Sequence, residues 1–197
     1  MEPTHDLTDA PLLPDTFTRW FAQRGWVPRA HQLELLAKAR DGRSSLLLAP
    51  TVGGKTLAGF LPTLVELSER NAPPKKLQSA GRSVARNQGL HTLYISPLKA
   101  LAVDIARNLE TPVREMGLAV RLETRTGDTP ASKRMRQRRD PPDILLTTPE
   151  QLALLLATAD APYLFGTLKR VILDELHSLV TSKRGDLLSL DLARLFT

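Results

Sequence analysis

Two short runs in this chain carry residue types suited to phosphate chemistry. Ala49-Pro50-Thr51-Val52-Gly53-Gly54-Lys55-Thr56 sets two glycines, a lysine and a hydroxyl in succession. Glycines let backbone N–H groups close around phosphate oxygens, and a helix start adds further N–H groups and the positive end of its dipole. In such a loop Thr51, Gly53 and Gly54 form the cradle. Lys55 reaches the β- and γ-phosphates, and Thr56 offers its oxygen to magnesium. Ala49 stands where the full pattern has its first glycine, and alone the run also fits an ordinary glycine-rich turn between strand and helix. The second run, Val171-Ile172-Leu173-Asp174-Glu175-Leu176-His177, delivers two adjacent carboxylates at the end of an apolar stretch. Asp174 suits magnesium, directly or through water; Glu175 suits polarisation of an attacking water; His177 suits sensing of the γ-phosphate. Carboxylates there equally suit a helix dipole. The phosphate-type loop upstream favours the chemical reading.

These residues need elements to hold them. Periodicity predicts a short amphipathic helix over 16–24, with Phe17, Trp20 and Phe21 on one face and Gly25 ending it. A second helix spans 28–42 and closes at Gly42. A strand over 45–50 leads into the glycine loop, and a helix over 57–70 follows, with Pro62 about two turns in. Residues 71–89 are polar, basic and rich in proline and glycine, an exposed connection. Strands are expected over 90–97, 119–127, 143–149 and 168–176, and helices over 98–117, 150–160 and 185–196. Strands alternating with helices imply crossovers and a largely parallel sheet flanked by helices, an α/β fold. Continuous apolar runs suit strands buried on both faces. Ligands bind at the carboxyl ends of such strands, where Asp174 and Glu175 would lie.

Composition narrows the class. The chain has 197 residues, enough for one domain with a proper core, and 42% of them are hydrophobic and 24% charged. No run of about 18 apolar residues is present, which excludes a membrane-spanning helix. The acidic, proline-broken start is no signal peptide. There is no cysteine, so thiolate chemistry and disulfides are excluded, and a cytoplasmic setting is compatible. A formal charge of +6 hints at a polyanionic partner. Lys133, Arg134, Arg136, Arg138 and Arg139 form the densest basic run, read either as phosphate contacts or as a solvated basic helix. Ser96, Thr147 and Thr148 follow strands, and small hydroxyls there suit backbone phosphates or strand-end capping.

Taken together, Lys55-Thr56 and Asp174-Glu175-Leu176-His177 resemble a DExH-box helicase of superfamily 2. Gly25-Trp26-Val27-Pro28-Arg29-Ala30-His31-Gln32 is similar to the glutamine motif, which implies Gln32 as the adenine reader. Tyr94-Ile95-Ser96-Pro97-Leu98-Lys99-Ala100-Leu101 resembles motif Ia, Arg125-Thr126-Gly127-Asp128-Thr129 the glycine turn after it, and Thr147-Thr148-Pro149-Glu150 motif Ib. The resemblance implies that Ser96, Pro97, Lys99, Gly127, Thr147, Thr148 and Pro149 line a track for one nucleic-acid strand. Wording such as GWVPRAHQLELL and TTPEQLALLL is closest to the Lhr-like, ligase-associated DNA helicases. It implies ATP and magnesium as cofactors, DNA as partner, and a ligase and nuclease as companions.

Val52 stands where that family carries glycine, and a β-branched residue resists the positive φ that glycine allows. Gly53 and Gly54 remain to shape the loop. The resemblance runs from residue 16 to 197 and ends before the family's motif III and second motor domain. The expected organisation is therefore a flexible leader over 1–15 and the first RecA-like ATP-binding domain over 16–197, a fragment inactive alone. Two other readings stay open: a nucleic-acid-binding remnant without catalysis, and a P-loop translocase that does not unwind.

Overall fold

The computed structural model describes residues 12–48, 54–71 and 89–196. The chain divides into two compact units, Met1–Val65 and Glu66–Thr197. The first opens with α1 (Asp15–Gln23), whose Phe17, Trp20 and Phe21 share one helical face and are buried. Trp20 meets Phe21 and Trp26 edge-on, with ring centroids 5.1 and 5.7 Å apart, and the Arg24 guanidinium covers both indoles at 5.2 and 4.9 Å. Ring quadrupoles favour both arrangements. Gly25 ends the helix at φ +66°, so that its own amide donates to Ala22 and that of Trp26 donates to Phe21. This closure needs a left-handed residue, which glycine supplies without steric cost. Helix α2 (Ala30–Arg40) buries Gln32 and Leu36 and closes at Gly42 in the same manner.

The strand predicted over 45–50 is absent from 45–48, where Leu46 and Leu48 are 72% and 85% exposed. Residues 49–50 lie outside the described residues, as do most of the leader and the connection over 72–88. An apolar run marks surface that burial would stabilise. It becomes a strand only where a neighbour completes the ladder, and among the described residues none pairs with it. Helix α3 (Lys55–Arg70) runs unbroken through Pro62. Phe60, Leu61, Leu64 and Leu67 of this helix are fully buried.

The second unit is built on β1 (Thr92–Ile95), β2 (Leu122–Arg125), β3 (Ile144–Thr147) and β4 (Arg170–Leu173), in the order β2-β3-β1-β4 with every pairing parallel. Helices α4 (Lys99–Glu115), α5 (Ala131–Arg139), α6 (Pro149–Leu156), α7 (Ala161–Phe165) and α8 (Lys183–Leu195) accompany the strands. The two central strands are buried throughout, as their continuous apolar runs predict. The edge strands differ: β2 alternates and β4 is half-buried. Leu93, Ile95 and Leu145 of the sheet join Leu152, Leu155, Leu164 and Leu188 of the helices in one apolar cluster. The basic stretch forms α5, and α7, only five residues long, escapes sequence periodicity. At the amino ends of the strands lies an ionic group. Arg170 and His91 contact Glu66 at 2.6 and 3.1 Å, and Arg70 contacts Asp143 at 2.5 Å.

Candidate functional site

The parallel register aligns Arg125, Thr147, Ile95 and Leu173 in one row at the carboxyl edge of the sheet. The ladder extends one residue further. The Ser96 amide donates to Thr147 at 3.0 Å and the Asp174 amide to Ile95 at 3.0 Å. Thr126, Thr148, Ser96 and Asp174 thus follow the row on neighbouring strands, and candidates from four separate sequence motifs meet at one edge.

At β4 the Asp174 carboxylate is held from two sides. The Tyr94 hydroxyl donates to Oδ2 at 2.6 Å and the Glu175 amide to Oδ1 at 2.9 Å. Tyr94 is buried, and burial, with the Asp174 charge beside it, pushes its phenol far above the usual tyrosine range. Sequence reasoning missed Tyr94 as a functional residue. The signal was there: a hydroxyl in an apolar strand needs a partner once buried. Glu175 sits at φ 48° and ψ 41°, the one non-glycine residue with positive φ among the described residues. A left-handed carboxylate residue costs about 1–3 kcal/mol and is held there by its surroundings. His177 is exposed, with Nε2 3.4 Å from the Glu175 carboxylate.

The proposed strand track proves more internally bonded than the sequence suggests. Ser96 and Thr147 are fully buried. The Thr147 hydroxyl donates to the Arg125 carbonyl at 2.8 Å, and the Ser96 hydroxyl bonds to the backbone of Leu98. Thr148, Pro97 and Pro149 are buried as well. Lys99 and Gly127 are exposed, and Lys99 is paired with Asp128 at 2.7 Å. The basic run is also largely committed within the chain. Arg136 grips the buried Glu123 with both terminal nitrogens at 2.9 and 2.7 Å, and Arg138 Nε donates to Asp160 at 2.6 Å. Arg134 donates to the carbonyls of Thr129 and Gly127 at 2.7 and 2.5 Å. Arg125 is buried; burial lowers its pKa, and the neighbouring charges of Arg134 and Arg138 add to this. Behind the track, Arg184 at the start of α8 forks onto Glu150 at the start of α6 and holds that carboxyl below its usual range.

In the first unit, Gly54 precedes α3 at φ +70°, and Lys55 and Thr56 open the helix, both half-buried. Gln32 is buried. Its Oε1 accepts from the Arg29 amide at 2.9 Å and its Nε2 donates to the Gly54 carbonyl at 3.5 Å. A Cβ at Gly54 would lie 3.2 Å from that Nε2, so close approach and positive φ both favour glycine here. The glutamine motif and the phosphate-type loop therefore touch. Thr51, Val52 and Gly53 lie outside the described residues.

The sequence pattern of DEAD/DEAH box helicases matches residues 29–196. The chain belongs to the DEAD/DEAH box helicase family. Its four parallel strands with flanking helices are the RecA-like helicase fold. Among relatives, the Lhr helicase/uracil glycosylase of Escherichia coli is 40% identical over 93% of this chain, and the ATP-dependent helicase Lhr-Core of Methanothermobacter thermautotrophicus is 42% identical over 78%. The solved structure of Mycobacterium smegmatis helicase Lhr, bound to single-stranded DNA and AMP-PNP, superposes with a TM-score of 0.79 at 35% identity over 92% of this chain. The chain spans 12%, 18% and 22% of these three helicases. Among the described residues no helix is long and apolar enough to cross a membrane.

Proposed function

We propose that residues 16–197 form the ATP-binding first motor domain of an Lhr-like DNA helicase, preceded by a leader over 1–15. Within that domain, ATP binding and hydrolysis would be coupled to movement along a DNA strand. The observation that carries the reading is the Asp174 carboxylate, fixed by Tyr94 and by the left-handed Glu175 at the ligand-binding edge of a parallel sheet.

Each residue then has a role. Lys55 binds the β- and γ-phosphates beside the amides of Gly53 and Gly54, with Thr51 completing the loop. Gln32 reads adenine, its carboxamide already bonded to the loop at Gly54. Thr56 and Asp174 would hold magnesium, which supplies charge neutralisation at the phosphates. Their donor chemistry fits. Magnesium takes hard oxygens, with one or two carboxylates beside phosphate oxygens rather than a full protein cage. Each Asp174 oxygen has one donor from the protein and keeps acceptor capacity. Among the described residues no cluster of three or more histidine, aspartate and glutamate side chains offers a rival metal site. Glu175 polarises the attacking water, and His177 senses the γ-phosphate. On the nucleic-acid side Gly127 and Lys99 are the accessible contacts, while Ser96, Pro97, Thr147, Thr148 and Pro149 shape the edge. A ligase and a nuclease belong to this reading by family resemblance, and a cytoplasmic setting by its cysteine-free composition.

Calorimetric titration of magnesium-ATP into the 197-residue chain tests the proposal, with Lys55→Ala as control. Binding lost in the control is the expected result, with negligible turnover by these residues alone. A folded parent chain that binds no nucleotide would overturn the ATP reading and leave a nucleic-acid-binding module without catalysis.

A further inference from the structure

The turn over 126–129 is fastened by a single arginine. Arg134 Nε donates to the Thr129 carbonyl at 2.7 Å, and Nη2 to the Gly127 carbonyl at 2.5 Å. From inside the turn, the Thr129 hydroxyl accepts the Thr126 amide at 2.9 Å, and the Thr129 amide donates to the Thr126 carbonyl at 3.1 Å. Arg125 Nη1 donates to the Arg134 carbonyl at 3.2 Å, and Thr147 holds the Arg125 carbonyl. The first turn of α5, the glycine turn and the end of β3 are thus one bonded assembly. Among the described residues the amides of Gly127 and Asp128 have no acceptor.

This pattern has an electrostatic meaning. Carbonyl oxygens facing a strand of phosphates would repel it. Arg134 draws two of them onto its half-exposed guanidinium and leaves the Gly127 and Asp128 amides without an acceptor in the turn, an arrangement suited to anions. Only a planar fork spans two acceptors at fixed spacing; a lysine ammonium is a single point charge. Arg136 and Arg138 are committed to Glu123 and Asp160, so two further cations of α5 are also engaged within the chain.

We propose that Arg134 is a positioning residue for nucleic-acid binding: its guanidinium fixes the Gly127 turn in a strand-accepting form and touches no phosphate itself. The inference rests on the proposed nucleic-acid reading of that turn. The test measures affinity of the 197-residue chain for a labelled single-stranded oligothymidylate across a salt series. The variants are Arg134→Lys, Arg134→Gln and Thr129→Val, each first matched to the parent by circular dichroism. A direct phosphate contact contributes about 0.7 to the slope of log affinity against log salt for a single strand. A positioning role contributes nothing to it. Expected is a loss of about tenfold for both Arg134 variants with the parent's slope retained. Thr129→Val, which keeps every charge but loosens the same turn, should copy them. Parent-like binding by Arg134→Lys, or a slope shallower by about 0.7 for Arg134→Gln, would overturn the proposal. A folded parent with no affinity for the oligonucleotide would instead remove the nucleic-acid reading, and this inference with it.

Discussion

Tyr94 shows how one buried hydroxyl can orient the carboxylate proposed to hold magnesium. Tyr94→Phe keeps the buried ring and deletes the donor to Asp174 Oδ2. The expected outcome is a loss of about 1.5–3 kcal/mol of stability in urea denaturation, the cost of a lost bond to a charge. ATP affinity should weaken only when magnesium is present; equal weakening without magnesium would deny Tyr94 its link to the metal ligand. Glu175 offers a second residue-scale prediction. Glycine usually costs about 1 kcal/mol against other residues. At φ 48° that penalty reverses, so Glu175→Gly should unfold at no lower urea concentration than the parent while supporting no hydrolysis in any longer active form. Lys99 carries the third. Its pair with Asp128 is exposed on both sides and weakly stabilising, yet it neutralises a cation beside the Gly127 turn. Asp128→Asn should tighten oligonucleotide binding and steepen its salt dependence by up to about 0.7. An unchanged slope would mean that Lys99 does not face the strand.

Elements were legible where burial was two-sided. Strands β1 and β3 lie between neighbours and carry unbroken apolar runs, so their sequence could mean little else. The run Leu46–Leu48 looks the same in sequence but leaves Leu46 and Leu48 exposed, because hydrophobicity records a demand for burial and not the presence of a partner strand. Helix α5 illustrates the reverse failure. Its basic residues read either as phosphate contacts or as a solvated basic helix, and periodicity says nothing about acceptors that arrive from Glu123, Asp160 and the turn carbonyls. Thr147 and Ser96 lie at the carboxyl edge, as their strand-end position predicts, but their burial comes from tertiary contacts invisible to that position. Helix α8 carries a misfit that sequence also hid. Asp191 is buried with Oδ2 unpartnered, and burial raises its pKa. A raised acid pKa in the folded state means that the fold binds more protons than the unfolded chain, so stability declines as pH rises through that range. Asp191→Asn should therefore be more stable than the parent at neutral pH and close to it in acid, as thermal midpoints across pH would reveal.

At the scale of the molecule, the candidate site and the ionic group occupy opposite ends of the sheet. The carboxyl edge gathers Asp174, Glu175 and the Gly127 turn, and the amino edge gathers His91, Glu66, Arg170, Arg70 and Asp143. Burial lowers the His91 pKa, opposed by Glu66 and reinforced by Arg70 and Arg170. A histidine with a depressed folded pKa is neutral in the fold and protonates first in the unfolded chain. Stability is then held above the ordinary histidine value of about 6.5 and lost as pH falls below it, until the folded group titrates. His91→Gln should flatten that acid-side decline in thermal midpoint. The aromatic cluster of α1 has a spectroscopic consequence. Both tryptophans of the chain, Trp20 and Trp26, lie in the unit Met1–Val65, while both tyrosines, Tyr94 and Tyr163, lie in the unit Glu66–Thr197. Indole emission therefore reports melting of the first unit alone, whereas far-ultraviolet dichroism sums over both. Two denaturation curves from one sample then ask whether the units melt together, and superposed curves would mean that the phosphate-loop helix and the sheet edge share one cooperative transition.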